Sequence, residues 1–262
     1  MTTARVHRRS SSSSPTPTTL TDRATRLLIA LLVLLLIGWG LGALCRSLLT
    51  TIDLRAVRDI ASERTPAETT IAHALSWIGG YVVFPLTVVC GAILYFAGRR
   101  WRALAVGLST LGAVVIADLD KLLVGRPRPP VHHLEKVTTG SFPSGHSAHS
   151  AAFVIALLLA LFFTYRPHWL KTAAATGGAL LVLGIAASRV YLGVHYPSDV
   201  VFGILLGSAW ALLASHYITR AVAPTTREPR TPIPTRGSAM SRETAIDDRA
   251  RAAATRVQGE RI

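Results

Sequence analysis

Residues 188–199 run Ser188-Arg189-Val190-Tyr191-Leu192-Gly193-Val194-His195-Tyr196-Pro197-Ser198-Asp199, a polar island with an uncharged apolar run on either side. An arginine, a histidine and an aspartate at the edge of a bilayer are expensive to keep there and point to a function. Pro197 suits the first turn of a helix, where its missing N–H costs nothing, so a helix is predicted from about Pro197 onward. Asp199 then lies in that first turn, with His195 just before it. A carboxylate so placed accepts a hydrogen bond from one imidazole nitrogen and leaves the other free as a nucleophile. The same pair also reads as an interfacial ion pair that holds a helix end.

Working outward, six apolar runs cover about residues 27–45, 72–97, 103–120, 147–165, 172–188 and 200–219. Most are near the twenty residues needed to cross a hydrocarbon core. Half of the 262 residues are hydrophobic, only 16% are charged, and the mean hydropathy is +0.40, too apolar for an ordinary soluble domain. The expected fold is all-α: an integral-membrane six-helix bundle over residues 26–220, flanked by disordered cytoplasmic segments at 1–25 and 221–262. The 103–120 and 172–188 runs are short, and each ends in long cationic side chains that are expected to snorkel to the interface.

Two more polar clusters border these runs. Pro143-Ser144-Gly145-His146 precedes the fourth: Ser144 is a good N-cap, Gly145 permits close backbone approach, and a helix start attracts anions. A turn explains the proline, serine and glycine equally well, but not the histidine at the mouth of a span. Lys121-Leu122-Leu123-Val124-Gly125-Arg126-Pro127-Arg128-Pro129 follows the third run with three cations and no carboxylate.

Taken in order, Lys-x6-Arg-Pro (Lys121, Arg128, Pro129), Pro-Ser-Gly-His and Ser-Arg-x5-His-x3-Asp resemble the three signatures of the type 2 phosphatidic acid phosphatase family, lipid-phosphatase relatives of the vanadium haloperoxidases. The resemblance covers about residues 70 to 220. It implies a phosphate site built from Lys121, Arg128, Ser144, Gly145 and Arg189, with His195 as the nucleophile oriented by Asp199. His146 is then the group that protonates the departing oxygen. These roles need no metal and no cofactor, and the implied substrate is a lipid phosphate or pyrophosphate: polyprenyl pyrophosphate, phosphatidic acid or phosphatidylglycerol phosphate. A phosphotransferase uses the same phosphoenzyme; a non-catalytic lipid-binding protein is the alternative from a different class. Arg126 reads either as a second phosphate contact or as an interfacial charge. Asp118 and Asp120 are expected to balance Lys121, and His149, one turn into the fourth run, to pack between helices or contact water rather than take part in catalysis.

Orientation follows from unmatched cations. Arg5, Arg8, Arg9, Arg23 and Arg26 precede the first run, Arg99, Arg100 and Arg102 join the second to the third, Arg166 and Lys171 join the fourth to the fifth, and nine arginines against five acids follow the sixth. All share one face of a six-span chain, which predicts cytoplasmic termini and all three motifs on the extracytoplasmic side, while the Arg- and Ala-rich, lysine-poor composition points to a bacterial plasma membrane. The net charge of +14 lies in these links and tails, where anionic lipid explains it without nucleic acid. The 46–71 link reads as a short amphipathic helix on the membrane surface or as a solvated loop, and Thr65-Pro66-Ala67-Glu68 as a capping box. Residues 41–45 only faintly resemble a lipoprotein cleavage site, Leu44 being large where a small residue is wanted, so the first run is read as an uncleaved span. Cys45 and Cys90 are expected to be unpaired thiols.

Overall fold

The computed structural model describes residues 20–162 and 167–219. Helix α1 (Leu20–Leu44) passes through a π-helical turn at Cys45–Leu49 into α2 (Thr50–Ser62). Helix α3 (Pro66–Trp77) continues through a second π turn at Ile78–Val82 into α4 (Val83–Phe96). Then follow α5 (Arg100–Val124), α6 (Gly145–Phe162), α7 (His168–Tyr191) and α8 (Pro197–Thr219). The described residues are helix, turn and loop, with no strand among them.

Five of the resulting rods are long and apolar enough to cross a membrane, and the sixth, Gly145–Leu161, is a shorter apolar helix. Their outer faces stay apolar: Leu36, Val88, Phe96 and Leu122 are 68%, 71%, 86% and 80% exposed. Such a surface is an aggregation hazard in water and the natural covering in lipid. The chain is a multi-pass membrane protein.

Helices α5, α6 and α8 form the centre, with α1 laid across α5 and α8, α4 against α5, and α7 against α6 and α3. Lipid tails are as apolar as leucine, so close backbone packing, rather than hydrophobic exclusion, holds such helices together. Gly203 and Gly207 supply it on α8. A methyl group on Gly207 would lie 2.0 Å from the Ala148 carbonyl oxygen of α6, and one on Gly203 2.6 Å from the Ser144 carbonyl. The crossing therefore fixes the start of α6, and with it His146, against the start of α8.

Several expectations need correction. Helix α1 begins at Leu20, so residues 20–25 are helical rather than disordered. The disorder expected for residues 1–19 and 221–262 falls outside the described residues. The 46–71 link is neither a loop nor a helix on the membrane surface. It continues α1, and α2 turns Leu54, Val57 and Ile60 onto Ala186, Val190, Tyr196 and Val200 of the protein itself. At α3, the Thr65 hydroxyl oxygen accepts from the Glu68 N–H at 3.3 Å, but Glu68 does not reach back to the Thr65 N–H. That donor goes to the Tyr191 hydroxyl at 3.0 Å. Asp120 does not balance Lys121: it is fully buried, its carboxylate packed against Gly38 of α1. Cys45 and Cys90 are free thiols.

Replacing Gly207 with valine should force α6 and α8 apart and destabilise the fold by about 1–3 kcal/mol, the usual cost of overpacking. Gly107, whose added methyl would meet nothing within 4 Å, is the matched control. Its change to alanine should stabilise α5 by about 0.5–1 kcal/mol. Thermal melting in detergent reads both; equal melting temperatures for the two variants would contradict the packing argument.

Candidate active site

The motif residues come from the ends of four helices and the two connections between them, and they meet at one end of the bundle. Helix α5 stops because Gly125 adopts a left-handed conformation (φ 55°) and its N–H returns to the Lys121 carbonyl at 3.1 Å. Lys121 thus sits in the last turn of α5, while Arg126 and Arg128 start the loop that leads to α6. Gly145 and His146 open α6, Arg189 ends α7, His195 lies in the connection, and Asp199 is in the first turn of α8. Lys121 and Arg189 do not snorkel outward. The Lys121 side chain is only 13% exposed, and Arg189 is buried.

Backbone bonds draw these segments together. The Ser144 N–H donates to the Asp199 carbonyl at 3.0 Å, and the Ser141 N–H to the Arg126 carbonyl at 2.9 Å. The Lys121 ammonium donates to Asp118 at 2.7 Å and lies 3.1 Å from where a side chain on Gly145 would begin. Glycine at 145 is what lets the cation reach the start of α6.

His195 is buried, and its Nδ1 donates to the Ser141 carbonyl oxygen at 2.7 Å. A carbonyl only accepts, so Nδ1 carries the proton and Nε2 presents its lone pair. The nearest neighbour of Nε2 is the Arg128 guanidinium at 3.4 Å. The tautomer expected from the sequence is present, but the group that sets it differs. Asp199 Oδ2 is 3.5 Å from Nδ1 and instead accepts from the Tyr196 N–H at 2.9 Å. Asp199 thus faces the imidazole as a nearby charge, with the Ser141 carbonyl as the acceptor at Nδ1.

The other oxygen of Asp199 accepts from Arg126 at 2.6 Å. Arg126 is 1% exposed and donates also to Asp53 at 2.8 Å and to the Ser198 hydroxyl at 2.7 Å, with the Tyr196 ring 4.1 Å from its guanidinium carbon. It is therefore neither a phosphate contact nor an interfacial charge. Burial disfavours its cation, but Asp199 and Asp53 outweigh that and hold its pKa above the ordinary value.

Arg128 is anchored by carbonyls: Thr139 at 2.9 Å, Val194 at 2.5 Å and Gly140 at 3.3 Å. Burial, with Arg189 nearby, pushes it down to about 10, still a cation at neutral pH. Arg189 donates to the Ser76 hydroxyl and to the Glu135 carboxylate. Burial alone would raise Glu135, but Arg189 with Ser76 and His73 holds it below the usual carboxylate range. Ser76 and Glu135 had no motif to announce them.

Arg189, Glu135 and His146 line an open cleft of about 660 Å³, with Trp77, Tyr81 and Lys136 on its walls. Gly80 admits the imidazole of His146, since a methyl there would lie 2.7 Å from Nε2. His146 is within electrostatic reach of Arg189, His195 and Lys121. Ser144 is fully buried, its hydroxyl accepting from Ser147 at 3.0 Å. His149 bonds the Gly79 carbonyl at 2.7 Å and stacks on Phe84, the packing role expected of it. Among the described residues no three His, Cys, Asp or Glu side chains gather as a metal site.

Burial first, then Arg128 and Arg189, push His195 down to about 4, against the opposing pull of Asp199. An unfolded histidine titrates near 6.5. Between these two values the unfolded chain binds the extra proton, so the contribution to stability is complete above about pH 6.5 and is lost as pH falls toward 4. Melting temperature in detergent should therefore decline from pH 7 to 5 more steeply in the wild type than in His195→Gln. Parallel curves would refute the neutral buried imidazole.

Residues 101–223 match the family model described as the PAP2 superfamily, a stretch that holds every motif residue. An undecaprenyl-diphosphatase from Sulfolobus acidocaldarius is 33% identical over 134 residues, 49% of this chain and 59% of the relative. The chain thus spans less than two thirds of that protein. A decaprenylphosphoryl-5-phosphoribose phosphatase from Mycolicibacterium smegmatis is 36% identical over 143 residues, 53% of this chain and 72% of the relative. The crystal structure of a transmembrane PAP2-type phosphatidylglycerolphosphate phosphatase from Bacillus subtilis superposes with a TM-score of 0.64 at 24% identity, covering 72% of this chain and 96% of that one. Motifs, bundle and relatives agree, and the chain belongs to the PAP2 superfamily.

Proposed function

We propose that this protein is a membrane lipid phosphatase that removes the terminal phosphate of a lipid phosphate or pyrophosphate through a phosphohistidine on His195. The observation that carries this reading is the unprotonated Nε2 of His195, facing the Arg128 guanidinium while the Ser141 carbonyl holds Nδ1. Phosphate esters resist attack because their oxygens repel a nucleophile, so cations must gather around the phosphoryl group. Lys121, Arg128 and Arg189 supply them, with the first-turn N–H groups of α6 beside them.

In the first step Nε2 of His195 bonds to phosphorus while the bond to the leaving oxygen breaks, and His146 gives that oxygen its proton. In the second, His146 takes a proton from water, the hydroxide displaces His195, and inorganic phosphate leaves. The exposed Trp77 and Tyr81 beside the cleft are residue types that favour the membrane interface, which supports a headgroup site at the bilayer edge. A substrate whose tail stays in lipid enters sideways. Polyprenyl pyrophosphate and phosphatidylglycerol phosphate, the substrate types named for the similar proteins, fit this description, as does phosphatidic acid. The excess of cations in the sequence before the first apolar run, in the links between runs two and three and runs four and five, and after the sixth favours cytoplasmic termini and an outward-facing site, and the Arg- and Ala-rich composition favours a bacterial plasma membrane. Residues 26–220 form the catalytic unit.

Phosphate release from lipid phosphates in detergent micelles is the test. His195→Ala should abolish turnover, and His146→Ala should lower it by about 10²–10⁴-fold, the usual worth of acid–base catalysis. Wild-type release no faster than both variants would reject the enzyme. Activity should persist in excess EDTA and be inhibited by vanadate, and its loss on chelation would contradict the mechanism. A labelled alcohol acceptor separates transfer from hydrolysis.

A further inference from the structure

Asp53 lies on α2, outside every motif and outside the family match, yet it is buried at 6% exposure behind the site. One of its oxygens accepts from Arg126 at 2.8 Å and from the Ser198 hydroxyl, and the other from the Ser198 N–H at 3.3 Å. Thr50, one turn earlier on α2, accepts from the same arm of Arg126 at 3.3 Å. The second arm of that guanidinium holds Asp199.

Two carboxylates thus share one guanidinium, and the cluster behind His195 carries a net charge of −1. Without Asp53 the guanidinium would belong to Asp199 alone, and the pair would be neutral. This matters because the other charged groups facing His195 are cationic: Arg128 and Arg189. When Nε2 bonds to phosphorus the ring, still protonated at Nδ1, becomes a cation, and it needs a negative partner behind it.

We infer that Asp53 is a positioning residue for the nucleophile: it shares Arg126 with Asp199, so that one guanidinium does not cancel both carboxylates and negative charge remains behind His195 to support the imidazolium formed at Nε2. The inference rests on His195 as the nucleophile, and it makes α2 part of the working site.

The test compares two anions on the purified full-length protein in detergent. Vanadate forms a bond to an imidazole nitrogen, whereas inorganic phosphate is held only by charge and hydrogen bonds. In Asp53→Asn the affinity for vanadate should fall about 10- to 100-fold, the worth of a charge-assisted hydrogen bond. Affinity for phosphate should hold or rise, since a negative charge has gone. Turnover of phosphatidylglycerol phosphate should show the same split, with kcat falling and KM little changed. A merely structural role would weaken both anions alike, so a vanadate loss no greater than the phosphate loss overturns the inference. So does a wild type that binds no vanadate. If Asp53→Asn does not fold, the double variant Asp53→Asn with Arg126→Gln removes both charges and leaves Asp199 uncancelled. Its vanadate-to-phosphate affinity ratio should equal or exceed that of the wild type, and a lower ratio refutes the assignment. Failure to cleave any lipid phosphate while the anion pattern holds would count against the lipid-phosphatase reading alone.

Discussion

A guanidinium with no access to water cannot stand alone in an apolar bundle, and the Arg126 side chain meets that constraint with two carboxylates from opposite ends of the fold. Asp53 comes from the continuation of α1, and Asp199 from the first turn of α8. The ion cluster therefore ties the first rod, the loop after α5 and the last rod together at the level of the site. Tyr196 stacks on the same guanidinium and the Ser198 hydroxyl accepts from it, while Nε is left without a hydrogen-bond partner. Loss of Arg126 would leave two buried carboxylates facing each other without a cation, which is far costlier than never having buried them.

That cluster also anchors the start of the loop after α5. Residues 125–144 contain no helix, yet their polar groups are engaged at both ends. Ser141 takes the Arg126 carbonyl and the Leu134 N–H takes the Leu192 carbonyl, while Arg64 reaches across from the start of α3 to the carbonyls of His132 and Tyr191. Arg128 clips the loop to Val194 beside His195. A loop at a bilayer edge cannot leave its amides unpaired. Pairing them with the α7–α8 connection is what delivers the Ser141 carbonyl to the imidazole.

The cleft beside His146 has a second electrostatic feature. Arg189 is already paired with Glu135, whose other oxygen lies 3.7 Å from His73. The cations at this end of the bundle are therefore not a bare cluster. The Glu135 and Asp118 carboxylates limit self-repulsion among Lys121, Arg128 and Arg189.

The amino-acid sequence by itself determined the six apolar rods, the three motifs and their convergence on one face. Each of these is written in local pattern: apolar run length, helix-start residues such as Pro197, and the order of cations and imidazoles. It also determined that one nitrogen of His195 should be free. Only the tertiary structure decided which acceptor frees it, because a backbone carbonyl such as that of Ser141 has no residue signature. The same holds for Asp53 and Arg126, 73 positions apart, whose partnership depends on α2 folding back onto α8. In sequence, Asp53 reads as one charge among several in a link, and Arg126 as one of three neighbouring cations. Burial alone separates them from their neighbours, and burial is a property of the packed bundle.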